Sequence, residues 1–175
     1  ESIFALTEKL SIGLGCSGGI EQSGCQFETV TDNFDKALEL LDSVINTPSF
    51  NQEDVDLAKQ RRIALYKQDE ENPEAHVNSL VNTVFYPPEH PYRHLPGDGV
   101  QQVEKFKRSD LVDYFRTIQN AQAAQIVYVG PKLSTSQQQR VKKIIATWKS
   151  IPVKQRMVSP PKYDANKTYV FEHRP

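Results

Sequence analysis

Histidine side chains near the middle of the chain are the first candidates for metal chemistry. The four histidines are His76, His90, His94 and His173. His90 and His94 lie four residues apart, and on a helix this spacing would place both imidazoles on one face, as in zinc sites. Pro91 and the neighbouring prolines disfavour a helix there, because proline removes a backbone hydrogen bond. We therefore interpret these two histidines as anchors of a loop.

A fragment of a zinc-hydrolase motif overlaps this loop. In the motif His-x-x-Glu-His, two histidines bind zinc and the glutamate polarises a metal-bound water. Residues 86–90 read Tyr-Pro-Pro-Glu-His, so Glu89 and His90 match, but Tyr86 stands where the first histidine belongs. The two prolines also interrupt the helix that the motif requires. The sequence therefore predicts no zinc site at this position.

Other catalytic patterns are missing from the sequence. It contains no Walker loop or dinucleotide fingerprint, and neither cysteine belongs to a Cys/His signature. Residues 15–19 read Gly-Cys-Ser-Gly-Gly and have the spacing of a Gly-x-Ser-x-Gly elbow. They lie at a predicted hairpin turn without the following helix that such an elbow requires, so we interpret Ser17 as a turn residue. The acidic run Asp69-Glu70-Glu71 directly precedes Asn72-Pro73, so we interpret it as a solvated helix end. These observations predict no catalytic residue in this chain.

The two cysteines, Cys16 and Cys25, flank a glycine-rich turn with the sequence SGGIEQSG. Antiparallel strands on either side of the turn would bring them face to face. Two interpretations stay open. The cysteines either form a disulfide, which would favour an exported or periplasmic protein, or they are two buried free thiols.

The overall composition excludes several classes of partner. The chain has 175 residues, of which 25% are charged, and its net charge is −1. The charges are nearly balanced and the sequence has no stripe of basic residues, so no nucleic-acid partner is predicted. No apolar run approaches the roughly 20 residues that cross a bilayer, so no membrane span is predicted. The length suffices for one domain with a hydrophobic core.

Periodicity and capping residues define the elements that must position any site. The predicted helices begin near Ser2, after Asp32-Asn33, after Asn51, at Pro73, after the cap Ser109 and after the cap Ser134 or Ser136. Strands are predicted over residues 12–16, 25–30 and 125–129, and a loop is predicted over residues 86–99. This order predicts an α+β fold, a mostly antiparallel sheet with helices packed on one face.

The chain is expected to be a segment of a longer protein. It begins at Glu1, and its last residues predict a strand that has just started. We expect one domain over residues 1–150 whose N-terminal strands are missing. A proline-containing linker would follow over residues 151–166, and residues 167–175 would form the first strand of a following domain.

Several strings, in this order, resemble the pitrilysin/insulinase family of zinc metallopeptidases, peptidase family M16. They are TDNFDKALELLDSVINTPSF, EDVDLAKQRRIALYKQDEENPEA, HPYRHLPGD and SDLVDYF, followed by the strand IVYVG and a helix ending at Trp148. The resemblance implies the LuxS/M16-like metallopeptidase fold. It also implies that two or four such domains enclose a chamber that captures unfolded peptides.

The same resemblance implies that zinc chemistry takes place in another domain. In catalytic domains of the family, His-x-x-Glu-His lies upstream of the region matching residues 1–10. A further zinc-binding glutamate lies on the helix matching residues 51–71, where this chain has Ala64, Leu65 and Tyr66. We therefore predict an inactive domain without metal ligands or a cofactor of its own. Its partners would be a peptide substrate and another domain or subunit of the family that carries the zinc.

The loop HPYRHLPG occurs in catalytic and non-catalytic domains of the family alike, so His90, Tyr92 and Arg93 are predicted to be structural anchors. Two alternative functions stay open. One is a structural or interaction subunit of the same fold without a peptidase partner, as in the core proteins of a respiratory complex. The other is an atypical catalytic domain with a relocated ligand, Glu70 or Glu71.

Overall fold

The structure, a computed structural model, describes residues 3–93, 98–153, 158, 160–161 and 167–170. Within these residues the chain forms seven α-helices, one 3-10 turn at Thr31–Asn33 and one β-hairpin. The helices are α1 Ile3–Lys9, α2 Phe34–Asn46, α3 Gln52–Glu71, α4 Pro73–Phe85, α5 Asp98–Lys105, α6 Arg108–Ile118 and α7 Thr135–Lys143. The hairpin strands are β1 Gly13–Gly18 and β2 Ser23–Glu28. This combination confirms the predicted α+β class.

The chain divides into two compact units. The first comprises Glu1–Ser49 and Phe115–Val153, and the second comprises Phe50–Tyr114 and Lys154–Pro175. The single domain expected over residues 1–150 stays a prediction. Most of the expected linker and the end of the expected last strand lie outside the described residues.

The sheet is smaller than predicted. Strands β1 and β2 pair antiparallel in a register that runs from Gly13 opposite Glu28 to Gly18 opposite Ser23. The strand predicted at Gln125–Val129 is wrong for this structure, which assigns no strand there, and residues 167–170 are likewise unassigned. A strand is defined by its ladder of hydrogen bonds to a neighbour, and no ladder joins either segment to another described residue.

Helix α2 organises the core of the first unit. Its buried side chains are Phe34, Ala37, Leu38 and Leu40. Ile12 joins one cluster with Ala37 and Leu40, while Ile144 joins a second cluster with Phe34 and Leu38. Each buried Leu or Phe of this kind contributes about 1.5–3 kcal/mol of transfer free energy. Asn33 precedes α2 as predicted, but its amide donates to the Leu10 carbonyl and does not cap the helix.

Helix α7 and the turn after it are fixed to α2 by polar contacts. Ser134 and Gln137 form a capping box at the start of α7, which resolves the choice between Ser134 and Ser136. The Trp148 indole donates to Asn46 Oδ1 at 2.6 Å, and the Asn46 amide donates to the Ile144 carbonyl at 2.9 Å. Asn46, the last residue of α2, therefore fixes the turn after α7. This turn contains Trp148, where the last helix of the family resemblance ends.

In the second unit, the caps of the helices differ in part from prediction. Asn72 accepts hydrogen bonds from Glu74 N and Ala75 N, and Pro73 is the first residue of α4, as predicted. Helix α6 begins at Arg108, so the cap predicted at Ser109 is wrong. The Asp110 carboxylate accepts from the Lys107 backbone instead. Helix α5 lies partly within the predicted loop and was not predicted.

Candidate functional site

Helix α3 carries the positions where the family resemblance places a zinc-binding glutamate. Ala64 and Leu65 are exposed there, and Tyr66 is half-buried. Methyl, isobutyl and phenol groups do not provide the carboxylate or imidazole donors that zinc prefers in hydrolases. The donor set at this place on the helix therefore does not fit a zinc ion.

Tyr66 serves the packing of α3 against α5. A Cβ atom built on Gly99 of α5 would lie 2.5–2.7 Å from three carbons of the Tyr66 ring. Only a residue without a side chain allows this approach, because such distances are well inside van der Waals contact. On the other side, the Arg62 guanidinium carbon lies 4.5 Å from the ring centroid, a cation–π contact. The ring is thus enclosed by two neighbours on its own unit.

The contact between Tyr66 and Gly99 was not predicted from the sequence. It joins two helices that are separated by the whole of α4 and the following loop. The available signal was Gly99, the second glycine in the string PGDGV. It lies in a helix although glycine disfavours helices. A glycine inside a helix indicates that another group approaches its backbone closely.

Carboxylates at the end of α3 are spread over its surface. Asp69, Glu70 and Glu71 are all exposed in its last turn. Across the parts of the chain that the structure describes, no group of three or more His, Cys, Asp or Glu side chains is placed to hold a metal ion. Among the described residues, Glu70 and Glu71 therefore do not belong to a cluster of side chains that could bind a metal ion.

The loop after α4 is built around an aromatic cluster formed by Tyr86, His90 and Tyr92. The His90 ring lies 4.3 Å from the Tyr86 ring and 5.3 Å from the Tyr92 ring, centroid to centroid. His90 is only 9% exposed, and its Nδ1 accepts a hydrogen bond from the Tyr92 backbone at 3.1 Å. One imidazole nitrogen is therefore already engaged within the loop.

Arg93 joins this loop to the C-terminal end of α4. Its Nη1 donates to the Thr83 carbonyl at 2.7 Å and to the Tyr86 carbonyl at 2.9 Å. The last carbonyls of a helix lack partners within the helix and carry partial negative charge, so a guanidinium stabilises them. Arg93 therefore acts as a side-chain cap of α4.

The remaining sequence-predicted candidates do not assemble with these residues. Glu89, the other matching residue of the near-motif, is exposed. His76 lies on α4, whereas His94 and His173 lie outside the described residues. The described residues therefore bring His90 together with two tyrosines and not with a second metal-ligating group.

A shallow depression of about 320 Å³ lies beside α3, lined by Asp56, Lys59, Gln60, Ile63 and Glu104. Its central cation, Lys59, donates to the carbonyls of Glu104 and Phe106 at 3.1 and 2.7 Å. These carbonyls lie at and just after the end of α5, so Lys59 caps that helix. The depression contains no nucleophile paired with a base, and we assign it no chemistry.

Cys16 and Cys25 are joined by a disulfide in the structure. They lie directly opposite one another in the hairpin register, with Cα atoms 4.0 Å apart. Cys16 is exposed and Cys25 is half-buried, so the bond lies at the surface of the first unit. A covalent link between opposite residues fixes the register of a hairpin that has few buried side chains.

None of the described helices combines the length and the apolar character needed to cross a membrane. This observation concerns the helices alone.

Comparison with known proteins identifies the fold. No protein-family model and no curated protein matches the sequence. A solved structure, the inactive domain of a peptidase M16 from Pseudomonas fluorescens, is similar with a TM-score of 0.79 and 18% sequence identity. The match covers 91% of this chain and 40% of that chain, so the chain spans well under half of that protein's length. The chain therefore has an M16-like fold, whereas pitrilysin/insulinase membership stays a prediction.

Proposed function

We propose that this chain is a non-catalytic domain of a zinc metalloendopeptidase. It would form part of a chamber that captures unfolded peptides, while zinc-dependent hydrolysis takes place in a partner domain. The observation that carries the proposal is the use of helix α3. Where a zinc-binding carboxylate is expected, the helix has Ala64, Leu65 and a tyrosine ring packed against Gly99.

The proposal is supported by the fold likeness to a domain that is itself described as inactive. Zinc would supply a polarised water for attack on a peptide bond in the partner domain. This chain would contribute structural elements of fixed geometry instead. Arg93 caps α4, and the aromatic cluster of Tyr86, His90 and Tyr92 closes the loop after it. Such fixed elements suit a scaffold that positions a neighbouring domain.

Peptide hydrolysis by the full-length protein tests the proposal. Cleavage of an unfolded fluorogenic peptide is expected for the full-length protein, with loss of activity on chelation and recovery on addition of Zn²⁺. The 175-residue chain alone, with Zn²⁺ added, is expected to show no cleavage. Cleavage by the isolated chain would contradict the proposal, and a full-length protein without activity would favour the structural-subunit alternative.

A further inference from the structure

The hairpin of β1 and β2 is packed against the core of the first unit at its base. Leu14 and Phe27 lie opposite each other there, and both pack against the buried clusters that α2 organises. The Phe27 ring also lies 5.8 Å from the Phe34 ring, centroid to centroid. The hairpin base, residues 13–14 and 27–28, is therefore held by contacts with the core.

The outer hairpin, residues 15–26, has little such packing within the described part of the chain. All residues from position 17 to position 24 are exposed. A Cβ atom built on Gly15 or Gly24 would meet no non-neighbouring heavy atom of the described residues within 4 Å. Four of the twelve residues are glycines, which weaken a strand because they have no side chain to pack. Packing therefore contributes little to the order of the outer hairpin.

The disulfide between Cys16 and Cys25 links the two strands of the outer hairpin covalently. Beyond it, the Gly19 N–H closes the turn by donating to the Gln22 carbonyl at 2.8 Å. In the chain-entropy account, a disulfide removes the open conformations of the loop that it closes. The enclosed residues 17–24 supply no buried side chain, so breaking the bond would loosen the outer hairpin and leave the core in place.

We propose that the Cys16–Cys25 disulfide is a redox-sensitive switch, which keeps the outer hairpin ordered when oxidised and releases it when a dithiol reduces the bond. A thiolate of the dithiol attacks the sulfur of Cys16, the more exposed cysteine, and Cys25 leaves as a thiolate. The second thiol of the reductant then attacks the mixed disulfide and releases Cys16. The dithiol loses two electrons and becomes a disulfide, and its two protons pass to the two cysteines.

Cleavage of the 175-residue chain by a glutamate-specific endopeptidase compares two positions in the same hairpin. Glu21 lies in the turn that the disulfide encloses, and Glu28 lies at the base, opposite Gly13. Reduction with dithiothreitol is expected to accelerate cleavage after Glu21 at least about tenfold, because release of the loop increases the population of open conformations. Cleavage after Glu28 is expected to change less than about twofold. Mass spectrometry of alkylated samples measures both rates.

The double variant Cys16→Ser/Cys25→Ser is the matched control, because it cannot form the bond. It is expected to be cleaved after Glu21 as fast as the reduced wild-type chain, with or without dithiothreitol. Circular dichroism is expected to show the same helix content in the oxidised chain, the reduced chain and the variant, since neither cysteine lies in a helix.

Three results would overturn the proposal. The first is equal cleavage after Glu21 in the oxidised and reduced chains. The second is an acceleration after Glu28 as large as that after Glu21, with loss of helix signal, because the whole unit would then unfold. The third is a chain without the disulfide under oxidising conditions, or one whose disulfide dithiothreitol reduces only after denaturation. No readout depends on peptidase activity, so the outcome is independent of the proposed function.

Discussion

The loop Tyr86–Arg93 and the segment Gln125–Val129 both lack regular secondary structure, but they differ in whether their polar groups have hydrogen-bond partners. In the loop, the buried imidazole of His90 and the guanidinium of Arg93 each have a partner within the same unit. In the segment, the described backbone groups have none, and two valines are mostly exposed. The first is therefore a closed structural element and the second an open one.

This difference teaches which irregular segment is a candidate for function. A loop rich in histidine, tyrosine and arginine first attracts attention as a chemical site, but its contacts use those groups internally. An uncharged apolar segment attracts less attention in a search for catalysis. Its backbone hydrogen-bonding groups lack partners among the described residues, which leaves it open to pairing with a further strand, of this domain or of another.

The largest expected effect is loss of the Arg93 cap. Arg93→Ala removes two charge-assisted hydrogen bonds and leaves the carbonyls of Thr83 and Tyr86 without their donor. We expect the free energy of unfolding to fall by about 2–3 kcal/mol, measured by urea denaturation. Arg93→Lys is the control, because one ammonium can retain part of the contact. An Arg93→Ala chain as stable as wild type would show that the loop is not closed as described.

A smaller effect is expected where the open segment is anchored. Tyr128→Phe removes the hydrogen bond to the Pro131 carbonyl and retains the ring against Phe34. Because this hydrogen bond is exposed, we expect a loss of about 0.5–1 kcal/mol in urea denaturation. Tyr128→Ala, which also removes the ring contact, should cost more. Equal stabilities for the two variants would indicate that the ring does not hold the segment.

The smallest expected effect concerns exposed charges on α2. Lys36, hydrogen-bonded to Glu39, lowers the pKa of the Glu39 carboxyl, and Arg140 lowers it further. A lowered pKa contributes stability above the unfolded-state pKa that is lost as pH falls through the folded-state value. Glu39→Gln should therefore be slightly less stable than wild type at about pH 7, and this difference should be smaller at about pH 3. A difference of the same size at both pH values would contradict this assignment.

Local chemistry made several elements predictable from the sequence. Asn72-Pro73 correctly marked the start of α4, and Ser134, one of the two serines considered, correctly marked the start of α7, because a cap depends on neighbouring residues. The start of α3 directly after Asn51 was also predicted correctly, although the Asn51 amide donates to Asp54 and does not cap the helix. Helix boundaries of this kind are specified within a few residues of the chain.

Long-range contacts explain the errors. The string QIVYV has the composition of a strand, but a strand forms only where a neighbour supplies a ladder. Helix α5 was missed because its glycine disfavours a helix locally, while Tyr66 of α3 packs on that glycine. The packing role of Tyr66 was likewise not predictable from the sequence, because its partner Gly99 lies on a different helix.

Zinc binding by the purified 175-residue chain tests the central claim most directly. The chain would be loaded with Zn²⁺, dialysed, and analysed for metal by inductively coupled plasma mass spectrometry. The account predicts far less than one ion per chain, since α3 offers no carboxylate at Ala64, Leu65 and Tyr66. Leu65→Glu, which restores a carboxylate without histidine partners, should bind no more. One tightly bound zinc ion per wild-type chain would contradict the assignment of this domain as non-catalytic.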